Sequence, residues 1–468
     1  MIDMQAKLEL LRKEILASAN CEVFLVGGAV RDIYLGRKII DYDLAFAGNA
    51  FKLAQEIAPR IGASFVPLDT DHDIARLVVK SAEGNIYLDF ASFKGTDIYE
   101  DLKNRDFTIN AMAIPLKETC AEVFDPFGGI QDIKAQRISA ISEANMLADP
   151  IRILRAVRFA VELGYTIEPE TFDYMFRNRN LLKRVSAERI RDELFRSFTV
   201  DAYQTVLLLE NAALFDVLIP ELSAAKGVEQ NKYHSLDVWE HCLATLKQLE
   251  ENILVDENSI TVQIQEYLNG ELVQGRSRKA LLKFAALIHD IGKPAVRQLL
   301  PGKGVTFWNH DLVGSNMAKE IATRFTLSKK EINFIEKIVK YHMRPLFLSK
   351  GHASARALYK FFSETGEDGL GVILHAQADT KAGKIHNDEQ VEAFSQTIDM
   401  MRDFYFHEFL PKTTNPLLRG QDILLSLPKI PNNKVGEVLN DVKEAYTIGL
   451  ISSREEALNY IKNKYRQF

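Results

Sequence analysis

Cysteine is scarce in this chain of 468 residues: there are three, Cys21, Cys120 and Cys242, at unrelated spacings. That excludes a disulfide framework and a cysteine-based zinc motif, and it suits a reduced, cytoplasmic compartment. Long apolar runs are missing, so no bilayer span and no membrane partner are expected. The opening Met1-Ile2-Asp3-Met4 begins no signal peptide. Internal repeats and low-complexity tracts are missing as well. So is any excess of positive charge: 58 Lys and Arg face 64 Asp and Glu, for a net charge of −6. A nucleic acid would therefore have to meet a local basic surface on an acidic body. What remains is an ordinary globular composition, 47% hydrophobic and 26% charged. The length suits roughly two to four domains.

The most informative stretch runs from Phe24 to Phe46. It reads as a strand (Cys21 to Val26), a Gly27-Gly28 turn, a helix start and a second strand carrying Asp41-Tyr42-Asp43. Two glycines let the backbone approach a ligand and leave amide N–H groups at a helix start, which suits a polyphosphate. Alternate strand residues share a face, so Asp41 and Asp43 point one way and Tyr42 the other. Two carboxylates on one rigid strand can hold Mg²⁺ against substrate phosphates.

Residues 1–20 read as a helix through Leu8, Leu10, Leu11, Ile15 and Leu16. Another covers Phe51 to Ile61. Ala75–Lys80 and Asn85–Ser92 read as strands joined by a Gly-containing turn. Asp89 on the second admits two readings: a third metal ligand, or an ordinary carboxylate near a sheet edge. Arg105 beside Asp106 precedes an apolar helix and can put a guanidinium on a triphosphate. The turn ending in Gly128-Gly129 closes an α/β domain near residue 140.

Strands stop near residue 146. Asp149 and Pro150 are suited to N-cap and first-turn positions of the next helix. Arg152, Arg155 and Arg158 fall three apart along it, which by itself describes a solvated basic face. Arg177, Arg179, Lys183, Arg184 and Arg189 lie in the most basic stretch, a candidate RNA-facing surface. Ser186 suits the N-cap of the helix that follows. Residues 200–230 read as helix ending near Pro220, and 251–275 as a loop or short strand-like excursion.

The histidines form a pattern. His241, the pair His289-Asp290, His310, His342 and Asp379 are the chemically suggestive set. The His-Asp pair closes a hydrophobic helix, where an uncompensated carboxylate is costly to bury. A bound divalent metal of unspecified identity would offset that cost and could present water to a phosphate ester. His310 and His342 are the outlying members. His72, His352, His386 and His407 have no such context and read as surface residues.

Taken together, Gly27-Gly28 with Arg31-Asp32, Asp41-Tyr42-Asp43, Arg105-Asp106-Phe107 with Asn110, Asp149 with Arg152, Arg155 and Arg158, and Glu188-Arg189 resemble the class II tRNA nucleotidyltransferases and poly(A) polymerases in order and spacing. Residues 231–400 resemble an HD phosphohydrolase domain. The resemblance implies an α+β chain: an α/β nucleotidyltransferase head (1–140), an all-helical neck and body (141–228), an all-helical HD domain (229–400) and a helical C-terminal region (401–468). It implies transfer of CMP and AMP from CTP and ATP to the tRNA 3′ end by a two-metal mechanism. Asp41 and Asp43 would be catalytic metal ligands. Arg105 would be catalytic with them; Gly27, Gly28, Arg31, Arg105, Asp106 and Asn110 would serve the triphosphate side, Arg155 and Arg158 would join the nucleotide-binding set, and Glu188 and Arg189 would brace the neck.

In that family frame Asp149 and Arg152 would read the base, and the chemistry suits it. Asp only accepts and Arg only donates. Cytosine and adenine both offer an amino donor beside a ring-nitrogen acceptor, whereas uracil and guanine oppose acceptor to acceptor and donor to donor. Five departures shift the expectations. Ala148 stands where many members carry an acidic residue, and Asn104 replaces a common second Arg. The short segment between Asp89 and Arg105 raises the prospect of an enzyme that adds A alone or CC alone. The absence of a Gly-Arg-Arg-Phe-type basic motif favours tRNA over poly(A) synthesis. Met343 follows His342 where some relatives have Asp. Two further functions are compatible with these residues: an HD domain acting as a metal-dependent phosphatase or phosphodiesterase, and an RNA-binding protein with a retired head.

Overall fold

The computed structural model describes residues 12–19, 21–71, 73–81, 84–117, 122–230, 236–253, 259–302, 304–351, 353–383 and 388–466. The chain divides into two compact units, Met1–Ser197 with Leu208–Val217, and Phe198–Leu207 with Leu218–Phe468. No helix among the described residues is long and apolar enough to cross a membrane. Of the expected first helix, residues 12–18 are helical and 1–11 lie outside the described residues.

The first unit is built on a six-stranded sheet of β1 (Val23–Val26), β2 (Asp41–Phe46), β3 (Ser64–Asp69), β4 (Ile74–Ser81), β5 (Gly84–Ser92) and β6 (Ala113–Pro115), in the order β3-β4-β5-β2-β1-β6. All four residues of β1 are buried, as a Val-Phe-Leu-Val run covered on both faces must be. β2 changes character along its length: Asp41, Tyr42 and Asp43 are open or half-buried, and Leu44, Ala45 and Phe46 are buried. It runs antiparallel to β1, pairing Asp43 with Val26, and parallel to β5, pairing Asp43 with Asp89. Gly27 follows Val26 directly, so the register gathers Gly27, Asp43 and Asp89 at one end of the sheet. Because β5 is an interior strand, the sheet-edge reading of Asp89 does not apply.

Helices frame this sheet. Gly28–Tyr34 starts at the turn itself. Ala50–Ile57 is capped twice over: Asn49 accepts from the Lys52 N–H, and Asp73 accepts from those of Ala50 and Phe51. The helix Arg152–Leu163 begins later than the capping signal implied. Asp149 instead ends the helix Glu143–Ala148 in extended conformation, and its side chain caps nothing. A short parallel pair, β7 (Arg137–Ile138) with β8 (Thr166–Ile167), puts a strand into the expected all-helical neck. Pro169–Asn178 follows. Then comes Ala187–Asn211, whose N-cap Ser186 makes no side-chain bond and which kinks at Asp201 (φ −148°).

The second unit is helical with two small hairpins, β9 (Glu271–Val273) with β10 (Arg276–Ser277), and β11 (Gln298–Leu300) with β12 (Gly304–Thr306). Within 251–275 the strand-like part is short, Glu271–Val273, and Ser259–Asn269 is instead a helix that buries Ile264, Tyr267 and Leu268, while residues 254–258 lie outside the described residues. The expected helix to Pro220 is shorter pieces, with turns at Phe215–Leu218 and Pro220–Ser223 after Asn211. Arg278–Ile288 is the innermost helix, with every residue from Ala280 to Ile288 buried. Its one internal charge, Lys283, donates to the Phe198 carbonyl at 3.0 Å and pairs with Glu250 at 2.7 Å, which is what permits an ammonium there. The last helices close a core of their own around Ile423, Val438, Ala457 and Ile461.

Candidate active site and metal centre

At the end of the head sheet the chain turns at Gly27 with φ +73°, a conformation that favours glycine. A Cβ there would lie 2.8 Å from Nη1 of Arg105 and 3.0 Å from Oδ2 of Asp43. Gly27 is therefore the position where backbone, cation and carboxylate meet. Beside Gly28 the nearest atom to such a Cβ is the Arg31 head at 3.5 Å, so the close-approach argument belongs to the first glycine alone.

Burial raises the pKa of Asp43, and Asp89 and Asp41 add to it against Arg105. Burial and Asp89 likewise raise that of Asp41, against Arg76 and Arg196. Carboxylates crowded until they resist ionisation form a donor set that a divalent cation relieves. Asp89 is engaged already: both of its oxygens accept from Arg76 at 2.7 Å. The residues thus fit a metal at Asp41 and Asp43, with Asp89 as an ion-paired neighbour.

The surrounding cations are oriented by carboxylates and amides. Arg105 donates through Nε and Nη2 to Asp101 at 3.1 and 3.0 Å, which leaves Nη1 beside Gly27. Asp101 was not anticipated; its place four residues before Arg105, near the end of the helix Ile98–Lys103, was the available signal. Arg31 is buried, donates to Asn110 at 2.8 Å and pairs with Asp32. Asn110 donates in turn to Asp106 at 3.1 Å, and Arg155 donates to the other Asp106 oxygen at 2.8 Å. Burial opposes charge on Asp106, but Arg155 and Asn110 outweigh it and hold its pKa below the usual range. Arg158 pairs with Glu193 at 2.5 Å and with Glu162 at 2.7 Å. The Phe159 ring lies under Arg31, Arg155 and Arg158 at 5.3, 5.3 and 4.0 Å. The arginine stripe is therefore no solvated face; Arg155 and Arg158 are tied into the interior.

The expected base-reading pair is held open. Arg152 donates to the Arg105 and Asn104 carbonyls at 3.0 and 2.7 Å, and burial lowers its pKa against Asp106 and Asp149. Both Asp149 oxygens accept from Arg189. Arg189 is thereby set apart from the rest of the basic stretch. Arg177, Lys183 and Arg184 are exposed, and Arg179 lies 4.3 Å over the exposed Phe176 ring, an arrangement that suits RNA. Arg177 also meets Glu143 at 3.4 Å.

The second unit assembles all of its expected ligands. His241, His289 and Asp379 present donor atoms close together, as do His289, Asp290 and His342. His241 Nε2 lies 2.7 Å from Asp379, and His310 Nε2 lies 3.3 Å from both Asp290 Oδ1 and His342 Nε2. The Nδ1 atoms of His289, His310 and His342 bond the carbonyls of Ala286, Phe307 and Val339 at 2.9, 2.8 and 2.7 Å. Each ring so presents Nε2 to the centre, the orientation metal-binding histidines take. Burial, with His289 and His310, pushes His342 down to about 4, so it is a neutral donor. His289 Nε2 and Asp290 Oδ1 are buried without a hydrogen-bond partner. The donors fit a divalent metal. Lys293 meets Asp290 at 2.6 Å. His375 was not anticipated: it is fully buried with its ring 4.6 Å from that of His289, and its spacing of four from Asp379 on one helix was the signal. His407 is exposed, as expected; His72, His352 and His386 lie outside the described residues, as does Cys120.

Residues 23–139 match the Poly A polymerase head domain, 164–226 a probable RNA and SrmB-binding site of polymerase A, and 233–379 the HD domain. The chain is 32% identical over 452 residues to an A-adding tRNA nucleotidyltransferase of Deinococcus radiodurans, covering 94% of each chain. It is 29% identical over 447 residues to a CC-adding tRNA nucleotidyltransferase of Thermus thermophilus, covering 94% of this chain and 93% of the other. The fold resembles that of a Thermotoga maritima CCA-adding enzyme solved with tRNA, with a TM-score of 0.64 at 22% identity over 98% of this chain and 95% of that one.

Proposed function

The chain belongs to the tRNA nucleotidyltransferase family, and on that premise we propose that it transfers CMP and AMP from CTP and ATP to the 3′ end of tRNA in the cytoplasm. The observation that carries this reading is the convergence of Asp43 and the Arg105 guanidinium on the Gly27 turn, with the Asp41 carboxylate near enough to Asp43 to raise its pKa. Asp41 and Asp43 would hold Mg²⁺, which when bound supplies positive charge to the triphosphate and acidifies the 3′-hydroxyl. The 3′ oxygen bonds to the α-phosphorus, the α–β phosphoanhydride bond breaks, and pyrophosphate leaves. Arg105, fixed by Asp101, faces the triphosphate beside Gly27. Arg31, fixed by Asp32 and Asn110, is the second cation there. Asp149 and Arg152 select cytosine and adenine by their amino donor and ring acceptor. Arg177, Arg179, Lys183 and Arg184 form the basic surface that meets tRNA.

The test offers tRNA lacking CCA, ending in one C, or ending in CC, with labelled CTP, ATP and UTP separately. CMP enters the first two and AMP the third, and UMP enters none. No incorporation on any acceptor would overturn the reading. Incorporation of AMP alone, or of CMP alone, would establish a single-nucleotide enzyme. The short segment before Arg105 and similarity to A-adding and CC-adding relatives are the grounds for that narrower alternative. A second activity, hydrolysis of a phosphate ester at the histidine cluster, is favoured by the assembly of His241, His289, Asp290 and Asp379.

A further inference from the structure

Arg189 sits in the most basic stretch of the chain, and its obvious reading is a phosphate contact. The geometry points elsewhere. Its Nη1 and Nη2 reach Oδ1 and Oδ2 of Asp149 at 3.0 and 2.8 Å, a fork-on-fork pair across 40 residues. The two side chains are 53% and 35% exposed. A pair that open to water adds little to stability, so bracing is a weak account of it. Its geometric consequence is larger. Asp149 sits in extended backbone at the end of Glu143–Ala148, and no local cap fixes its side chain. The bidentate pair does, setting the plane of the carboxylate and the direction of its free lone pairs.

We propose that Arg189 is a positioning residue for base selection: it holds the Asp149 carboxylate in the one orientation that accepts the amino group of cytosine or adenine. An ionised carboxylate offers about four lone-pair sites. The guanidinium takes one on each oxygen, so a base amino group can be accepted without breaking the pair. Arg152 is held independently, by the carbonyls of Asn104 and Arg105. The two halves of the fork are thus set by different elements, Asp149 from the helix Ala187–Asn211 and Arg152 from the loop that carries the triphosphate cation. Releasing Asp149 lets it rotate, and misplacement by about 1 Å can cost 10²-fold. The proposal rests on the reading of Asp149 and Arg152 as the base-selecting pair.

Arg189→Ala, Arg189→Lys and Asp149→Ala are compared with the unaltered protein for kcat/KM with CTP, ATP and UTP on each tRNA acceptor, and for tRNA affinity. Arg189→Ala lowers the preference for the correct nucleotide over UTP by about 10- to 100-fold, chiefly through KM for the correct nucleotide. Arg189→Lys, which keeps the charge and loses the fork, recovers only part. tRNA affinity changes less than about threefold. In Asp149→Ala the further change Arg189→Ala adds nothing to the loss of preference. Unaltered preference in Arg189→Ala beside a lost preference in Asp149→Ala would overturn the role of Arg189 and leave the base-reading pair standing. Unaltered preference in both would remove the pair itself. A large loss of tRNA affinity with preference intact would return Arg189 to the RNA surface.

Discussion

The two sites solve the problem of holding charge in opposite ways. In the head, carboxylates crowd one end of a sheet; burial and repulsion from neighbouring carboxylates raise the pKa of Asp41 and Asp43, and Asp41 stays exposed. In the second unit, His289, His342 and Asp290 are buried between helices, and backbone carbonyls lock the rings into one orientation. The head set favours a hard cation shared with substrate oxygens. The histidine set favours a more tightly kept metal in a closed pocket. A site that must exchange a triphosphate and an RNA end at every turnover suits the first design.

Removing one carboxylate from each site tests that contrast. Asp43→Ala should lower nucleotide incorporation by about 10³-fold or more, the scale of several kcal/mol of lost charge stabilisation, with tRNA binding retained in a gel-shift measurement. Near-normal incorporation would break the assignment of the head. Asp290→Ala should cost the histidine centre its metal, read as metal per chain after dialysis, with a loss of affinity of roughly 100-fold or more. Labelled-nucleotide incorporation should stay within about threefold. If transfer fell with the metal, the two sites would not be separable. The smallest expected effect concerns His375. Both of its ring nitrogens are buried without a partner, and it stands outside the ligand groupings of the centre. His375→Leu should leave metal content unchanged and raise unfolding stability by roughly 1–3 kcal/mol, measured by denaturant titration, because an unsatisfied polar group leaves the core. Loss of metal instead would make His375 a ligand.

The head was legible because its chemistry is local. Gly27 and Asp43 lie 16 positions apart, and period-2 alternation alone places Asp41 and Asp43 together. The hairpin of β4 and β5 was equally visible, with strand-forming residues on either side of a Gly-containing turn. Capping signals proved weaker. Asp149 and Pro150 read as a helix start, but the ion pair with Arg189 took the side chain and the helix began at Arg152. The helix Ser259–Asn269 was missed because Gln and Glu interrupt its apolar positions, and packing of Tyr267 and Leu268 decided the matter.

Residue types and short spacings by themselves determined the carboxylate pair, the glycine turn, the His-Asp pair at the end of an apolar helix and the mixed α and β character. Those features depend on backbone periodicity and on chemistry within a few residues. Only the tertiary structure decided that Asp89 pairs with Arg76, that Arg155 and Arg158 turn inward over Phe159, that His375 packs on His289, and that Arg189 grips Asp149. Apart from the Phe159 contacts, which lie within the helix Arg152–Leu163, the partners come from different strands or helices whose packing, rather than any local preference, sets which group meets which. A side chain with several available partners takes the one that burial and geometry bring within about 3 Å.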